Sequence, residues 1–158
     1  MKDSLRTGVS FGLTSAVITT LGLIVGLHSG THSKIVVLGG ILTIAIADAF
    51  SDALGIHVSE EAENVHTVKE IWVSTISTFL TKFLFALTFV LPVLFLSLSM
   101  AVIVSLIWGM SILAILSYAM AKAQKTAPWK VMGEHILIAL VVIGVTHLVG
   151  DWVATIAE

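Results

Sequence analysis

The sequence predicts an all-α integral membrane protein, a bundle of five transmembrane helices, on three observations. Of its 158 residues, 57% are hydrophobic and 11% are charged, whereas soluble domains have about a quarter charged. Apolar segments of about 20 residues, long enough to cross a bilayer, recur along the whole chain. Short polar or charged stretches separate these segments. We therefore treat residues 1–158 as one transmembrane domain.

The predicted spans are residues 8–28, 35–57, 71–95, 98–121 and 131–157. The first is rich in Gly, Ser and Thr, which let helices approach closely in lipid. Lys2 and Arg6 precede it, but no small-residue cleavage site follows, so we expect it to be retained rather than removed as a signal peptide.

A charged stretch follows the second span, at residues 59–70, and lacks Pro and Gly. We expect the helix to continue through it into water. No charge occurs from Phe83 to Ala121, which is too long for one helix across about 30 Å of hydrocarbon. The sequence therefore predicts a turn near residues 96–99, just beyond Pro92. A basic, Pro-containing loop precedes the fifth span.

Lysine and arginine placement predicts the orientation. With the N-terminus in the cytoplasm, the cytoplasmic side holds Lys2, Arg6, Lys69, Lys122, Lys125 and Lys130. The outer side holds Lys34. The formal net charge of −2 indicates no nucleic-acid partner, and the absence of cysteine excludes disulfides and thiolate metal sites.

Four stretches resemble the vacuolar iron transporter family of iron and manganese exporters. Gly8-Val-Ser-Phe-Gly-Leu-Thr-Ser15 is similar to the family's Gly-x-Asn-Asp-Gly-Leu-x-Ser. Ser51-Asp-Ala-Leu-Gly-Ile-His-Val-Ser59 is similar to Ser-Met-Ala-Ala-Gly-Glu-Tyr-Val-Ser. Thr78-Phe-Leu with Leu91-Pro92 resembles the third helix, and Gly144-Val-Thr-His-Leu-Val-Gly150 resembles the fifth.

The resemblance implies a five-span homodimer in a prokaryotic cell membrane, with an ion path lined by the first two helices. It also implies export of Fe²⁺ or Mn²⁺. The chain departs from the family where Phe11 replaces an Asp, Asp52 replaces a Met, and Ile56-His57 replaces Glu-Tyr. A long Glu-rich domain of the vacuolar members is reduced here to a short stretch within residues 60–70.

The pair Asp48 and Asp52 is the main candidate site. An aspartate in mid-bilayer costs roughly 2.5–3.5 kcal/mol on insertion scales, and such residues are typically functional. Their spacing of four places both on one helical face, and carboxylates suit divalent cations or proton relay. The alternative is a structural ion pair with Lys82, which lies inside the third span. The two interpretations are compatible if Lys82 balances the charge of the aspartates when the metal leaves.

Three further groups of polar residues are weaker candidates. His57 and Glu60, with Glu61, Glu63 and His66, form a potential cytoplasmic collecting site, but for such a charge run we slightly favour a solvated helix face. His147 and Asp151 are spaced to bind an ion, but we favour an interfacial polar cap. Glu134 and His135 are adjacent and therefore point apart on a helix.

We therefore expect a divalent-cation transporter that exports Fe²⁺- or Mn²⁺-type ions, with proton antiport as one form of coupling. Its partners are the bilayer, a second copy of the chain, the transported cations and protons. We expect no permanently bound cofactor. The alternative is a transport-inactive scaffold or regulatory subunit on the same bundle. No enzyme is expected, because no His-Glu-x-x-His motif occurs and no nucleophile lies beside a base.

Overall fold

The computed structural model describes residues 1–157, and these residues form helices without any strand. The helices are α1 (Lys2–Thr31), α2 (Lys34–Glu63), α3 (Val68–Thr88), α4 (Val90–Phe95), α5 (Leu98–Ala123) and α6 (Pro128–Ala157). Because α3 and α4 together make one span, Val68–Phe95, five helices of the described chain are long and apolar enough to cross a membrane. The predicted all-helical class is confirmed, and the five candidate spans agree in number with the five predicted.

The helices extend beyond the apolar segments from which the spans were predicted. α1 begins at Lys2 and α6 at Pro128, and proline suits the first turn of a helix because its missing N–H needs no partner there. α2 continues into the charged stretch of residues 59–70 but ends at Glu63, so the prediction that the helix runs through the whole stretch is wrong beyond that residue. Asn64 then takes a left-handed conformation with φ of 58°, which ends the helix. The ends of the helices are therefore set by capping and helix-breaking residues rather than by the ends of the apolar segments.

The third span is interrupted, which the prediction of one segment over residues 71–95 did not include. α3 ends at Thr88, and α4 resumes at Val90. Pro92 explains the interruption, because its ring would clash with the carbonyl of Thr88, four residues earlier, in a regular helix. The turn to the next span lies at residues 96–97, between α4 and α5.

Two contacts between residues far apart in the sequence show which helix termini lie together. The Met1 amino group is 2.9 Å from Glu70 Oε1, which joins the starts of α1 and α3. We call this the N-terminal end of the bundle. At the opposite end, Lys34 Nζ donates 3.0 Å hydrogen bonds to the carbonyls of Leu94 and Leu96. The helices therefore alternate in direction through the bundle.

α1 lies at the centre and packs against α2, α3, α5 and α6. Glycines make the closest of these approaches. A Cβ atom on Gly12 would lie 2.6 Å from the Thr78 carbonyl oxygen of α3. A Cβ on Gly150 of α6 would overlap the carbonyl oxygen of Gly26 in α1. Small residues thus let the backbones of α1, α3 and α6 touch, as in other membrane bundles.

Large apolar side chains cover the outside of the bundle, while many small polar ones are buried. Phe50 of α2 and Leu148 of α6 are 62% and 68% exposed. Ser74, Thr78 and Ser105 are fully buried. An exposed apolar surface of this extent is not tolerated in water, whereas lipid chains solvate it. The distribution agrees with the five candidate spans.

Candidate functional site

The structure brings Lys82 of α3 against both aspartates of α2 inside the bundle. Lys82 is 1% exposed. Its Nζ atom donates a hydrogen bond to Asp52 Oδ2 and lies 2.6 Å from Asp48 Oδ2. It also donates a 2.8 Å hydrogen bond to the Ser15 hydroxyl of α1. One ammonium group is therefore enclosed by oxygen atoms from α1 and α2.

Small residues make this convergence sterically feasible. Asp48 and Asp52 share the buried face of α2 with Ala45, Ala49 and Ala53, whose short side chains let the helix approach its neighbours. On α1, Gly12 lies against the Thr78 backbone. A Cβ atom added to Gly12 would also lie 3.3 Å from the Lys82 backbone nitrogen. This contact brings Ser15, less than one turn later, within reach of the lysine.

The two aspartates are not equivalent. The side chain of Asp52 is 19% exposed and that of Asp48 is 30% exposed. Within residues 1–157, Asp48 Oδ2 has no aligned hydrogen bond, although it is within ion-pair distance of the ammonium. Asp52 therefore holds the lysine by a directional bond, whereas Asp48 contributes mainly charge and is the more accessible carboxylate.

The formal charges of this cluster do not cancel. Two carboxylates and one ammonium sum to −1 when all three are ionised. Burying charge is costly unless it is paired, so one uncompensated negative charge among apolar helices favours binding of a further cation. The oxygen atoms of Asp48, Asp52 and Ser15 are also the ligand type that hard divalent cations prefer.

His57 and Glu60 instead contact α3 through separate bonds. His57 Nδ1 is 3.0 Å from Thr75 Oγ1, and its ring meets the Trp72 ring edge-on at 4.9 Å. Glu60 is buried and accepts a hydrogen bond from Ser74. Within the described residues, no three His, Asp or Glu side chains are grouped in a way that could hold a metal ion. These contacts join α2 to α3.

Glu63 and His66 lie at the solvent-exposed end of α2. His66 Nε2 is 3.5 Å from Glu63 Oε2, and both side chains are accessible. An exposed pair of this kind contributes at most about 1 kcal/mol. Its geometry is that of a solvated helix end, which agrees with the interpretation that the sequence slightly favours.

His147 and Asp151 pair at the opposite end of the bundle. His147 Nε2 is 3.5 Å from Asp151 Oδ2, and the two side chains are 55% and 54% exposed. Asp151 Oδ1 also accepts a hydrogen bond from Ser29 of α1, beside the contact between Gly30 and Gly150. The aspartate therefore links α6 to α1, and this arrangement favours the polar cap over an ion site.

Sequence reasoning missed two polar contacts inside the bundle. Ser15 was grouped with the many hydroxyl residues of α1, and nothing in its spacing singled it out. His135 of α6 is half-buried with Nδ1 2.7 Å from Ser117 Oγ of α5, while the adjacent Glu134 is exposed. Ser117 Oγ also lies 2.6 Å from the Leu113 carbonyl oxygen, to which it can donate.

A scan against protein-family models finds no match to this chain, and a search of curated proteins finds no significantly similar relative.

Proposed function

We propose that this protein is a multi-pass membrane transporter of divalent cations, with Asp48 and Asp52 as the ion-binding carboxylates. The observation that supports it most directly is the enclosure of Lys82 by these two residues and Ser15 inside a bundle of candidate membrane spans. The ammonium lies among oxygen atoms where a metal ion would find its ligands.

In the proposed mechanism, Lys82 and the transported ion compete for the same carboxylates. With the site empty, Lys82 balances half of their formal charge. A divalent ion entering beside Asp48, the more exposed of the two, displaces the ammonium and takes Asp52 as a second ligand. When the ion leaves, Lys82 returns. Exchange of the ion against a proton needs no further charged residue, because the empty cluster carries a formal charge of −1.

The ion class and the direction of transport in this proposal rest on the resemblance of four sequence stretches to vacuolar iron transporters. This resemblance favours Fe²⁺ or Mn²⁺ as cargo, export from the cytoplasm, a homodimer and a cytoplasmic N-terminus. Phe11, at the position of the family's first-helix Asp, lines a cavity between α1, α5 and α6, and the cluster around Lys82 is not part of that lining. The proposed site therefore uses α2 carboxylates in place of the family's α1 carboxylate.

The test is metal flux into proteoliposomes that contain a metal-sensitive dye. We expect Mn²⁺ or Fe²⁺ flux with the wild-type protein, and flux equal to that of protein-free liposomes with Asp48→Asn plus Asp52→Asn. Asp3→Asn is the matched control, because this carboxylate is exposed in the first turn of α1. Wild-type flux in the double variant would overturn the mechanism.

A second candidate function is a transport-inactive scaffold or regulatory subunit. The near-complete burial of Lys82 against both aspartates also fits a purely structural ion pair. A triple variant with Asp48→Asn, Asp52→Asn and Lys82→Met separates the two functions, because neutral replacement of a buried ion cluster often preserves folding. Loss of flux in a folded triple variant supports transport. Absence of metal flux and of metal binding in the wild type supports the scaffold.

A further inference from the structure

A cavity of about 400 Å³ opens between α1, α5 and α6. Its polar lining includes Arg6 and Thr7 from α1, Gln124 after α5 and His135 from α6. Phe11 and Met120 supply apolar surface. Arg6 lies in the second turn of α1 and Gln124 in the loop before α6, so the cavity lies towards the N-terminal end. It shares no residue with the cluster around Lys82.

The polar part of this cavity suits an anion. Arg6 contributes a permanent positive charge, and no carboxylate is among the lining residues. Within residues 1–157, Arg6 takes part in no salt bridge. A guanidinium group offers forked N–H donors that match the oxygens of a phosphate. The Gln124 amide and Thr7 hydroxyl add neutral donors beside it. The arginine therefore has unused capacity for a phosphate group.

The apolar part of the cavity indicates that the anion belongs to an amphiphile. Phe11 is 42% exposed although it carries no polar atom, and Met120 is half-buried beside it. A free phosphate ion gains nothing from either side chain, whereas the acyl chain of a lipid does.

The position of the cavity along the bundle, near the ends of the candidate spans, also fits a lipid headgroup. Trp129, at the start of α6, is 77% exposed, and exposed tryptophans at span ends mark the membrane interface. Lys122, Lys125 and Lys130 surround the same loop and add positive charge at this level. Basic pockets between transmembrane helices are known to bind anionic headgroups.

We propose that this cavity is a binding site for an anionic phospholipid. The lipid phosphate contacts Arg6, with Gln124 and Thr7 as further donors, and the upper part of an acyl chain lies along Phe11 and Met120. The site is independent of the proposed transport site, and its occupancy ties α1 to the ends of α5 and α6.

The test measures the thermal unfolding midpoint of the full-length protein in neutral detergent with added lipid. We expect phosphatidylglycerol to raise the midpoint more than phosphatidylcholine does. Arg6→Gln should weaken apparent phosphatidylglycerol affinity about tenfold, as expected for losing one charged hydrogen-bond partner. Lys2→Gln is the matched control, since it removes one positive charge from the same exposed helix end without touching the cavity. It should retain the wild-type response.

Two outcomes would overturn the proposal. Equal weakening by Arg6→Gln and Lys2→Gln indicates diffuse attraction of anionic lipid to a basic helix end. A full stabilising effect from inorganic phosphate or glycerol 3-phosphate identifies a soluble ligand instead of a lipid. Native mass spectrometry of both variants provides a second measurement that does not depend on stability. There, retained phosphatidylglycerol should be lost selectively from Arg6→Gln.

Discussion

Lys82 Nζ lies 2.6 Å from Asp48 Oδ2, yet the aligned hydrogen bond to an aspartate goes to Asp52. The ammonium group thus makes a directional hydrogen bond to Asp52 and a mainly electrostatic contact with Asp48. Ser15 completes its hydrogen bonding from α1. Because these groups come from α1, α2 and α3, the cluster couples the positions of three helices to one buried charge. This coupling leads to separate predictions for each member.

Lys82→Met should strongly destabilise the protein. The substitution keeps a long side chain but leaves two carboxylates facing each other, and removing one partner from a buried ion pair typically costs about 3–5 kcal/mol. We expect a lower thermal unfolding midpoint in detergent. Adding Asp48→Asn and Asp52→Asn to this variant should recover most of the loss, since no charge then remains unpaired.

Lys69→Met is the control for that experiment, because it removes an exposed lysine that the same helix carries. It should leave the midpoint unchanged. If Lys82→Met unfolds at the wild-type temperature, the lysine is not the charge partner of the two aspartates.

Asp52→Asn should cost more stability than Asp48→Asn. Asp52 accepts the aligned bond and is the less exposed carboxylate, so its replacement weakens a charged hydrogen bond, worth about 1.5–3 kcal/mol. Either substitution relieves the repulsion between the two carboxylates, so the difference between the variants reports the bond to Lys82. Thermal unfolding of both single variants measures the difference. An equal loss, or the reverse order, contradicts the unequal roles of the two residues.

The five-span class and the pairing of Lys82 with the aspartates could be predicted because both follow from the cost of charge in lipid. Apolar segments must be long enough to cross, and isolated charges inside them seek one another. The interruption before Pro92 was predictable in principle from the missing N–H, but the apolar pattern continues through it without any sign of a break.

The positions of Ser15, His57 and Glu60 could not be predicted, for a different reason. Each is decided by the neighbouring helix rather than by its own. Hydroxyls are frequent on α1, and only the approach of α3 at Gly12 selects Ser15 as the partner of Lys82. His57 and Glu60 are one turn apart on α2, yet Thr75 and Ser74 of α3 each take one of them.

Gly12→Ala should separate α1 from α3. The new methyl group would lie 2.6 Å from the Thr78 carbonyl oxygen, which is backbone and cannot rotate away. We expect a loss of about 1–3 kcal/mol, as for overpacking elsewhere, and weaker contact between Ser15 and Lys82. Gly144→Ala is the control, because an added Cβ there meets nothing within 4 Å. Improved helix propensity should make it neutral or slightly stabilising.

The two glycine variants are compared by thermal unfolding in detergent and by metal flux in proteoliposomes. A lower unfolding midpoint and lower metal flux in Gly12→Ala alone would show that the charged cluster depends on the close approach of α1 and α3. Equal unfolding midpoints for the two variants would mean that α1 and α3 can separate without loss of stability, which contradicts the close contact between Gly12 and Thr78.

Thr67→Ala should loosen the start of α3. Thr67 Oγ1 accepts a hydrogen bond from the Glu70 backbone N–H, and the Glu70 side chain accepts one from the Thr67 N–H at 3.1 Å, so the two form a capping box. Loss of such a cap costs about 1 kcal/mol, equivalent to roughly fivefold faster local opening. Amide hydrogen exchange of residues 68–71 measures this opening.

The control for the capping experiment is Thr43→Ala, which removes an exposed threonine whose hydroxyl bonds only to the Gly39 carbonyl of its own helix. It should leave exchange at residues 68–71 unchanged. Glu70 also binds the Met1 amino group, so the loosened turn should release the start of α1 as well. Faster exchange at residues 68–71 together with residues 5–8 therefore supports a joint α1–α3 start. Unchanged exchange in Thr67→Ala rules out the capping box as the element that holds this end.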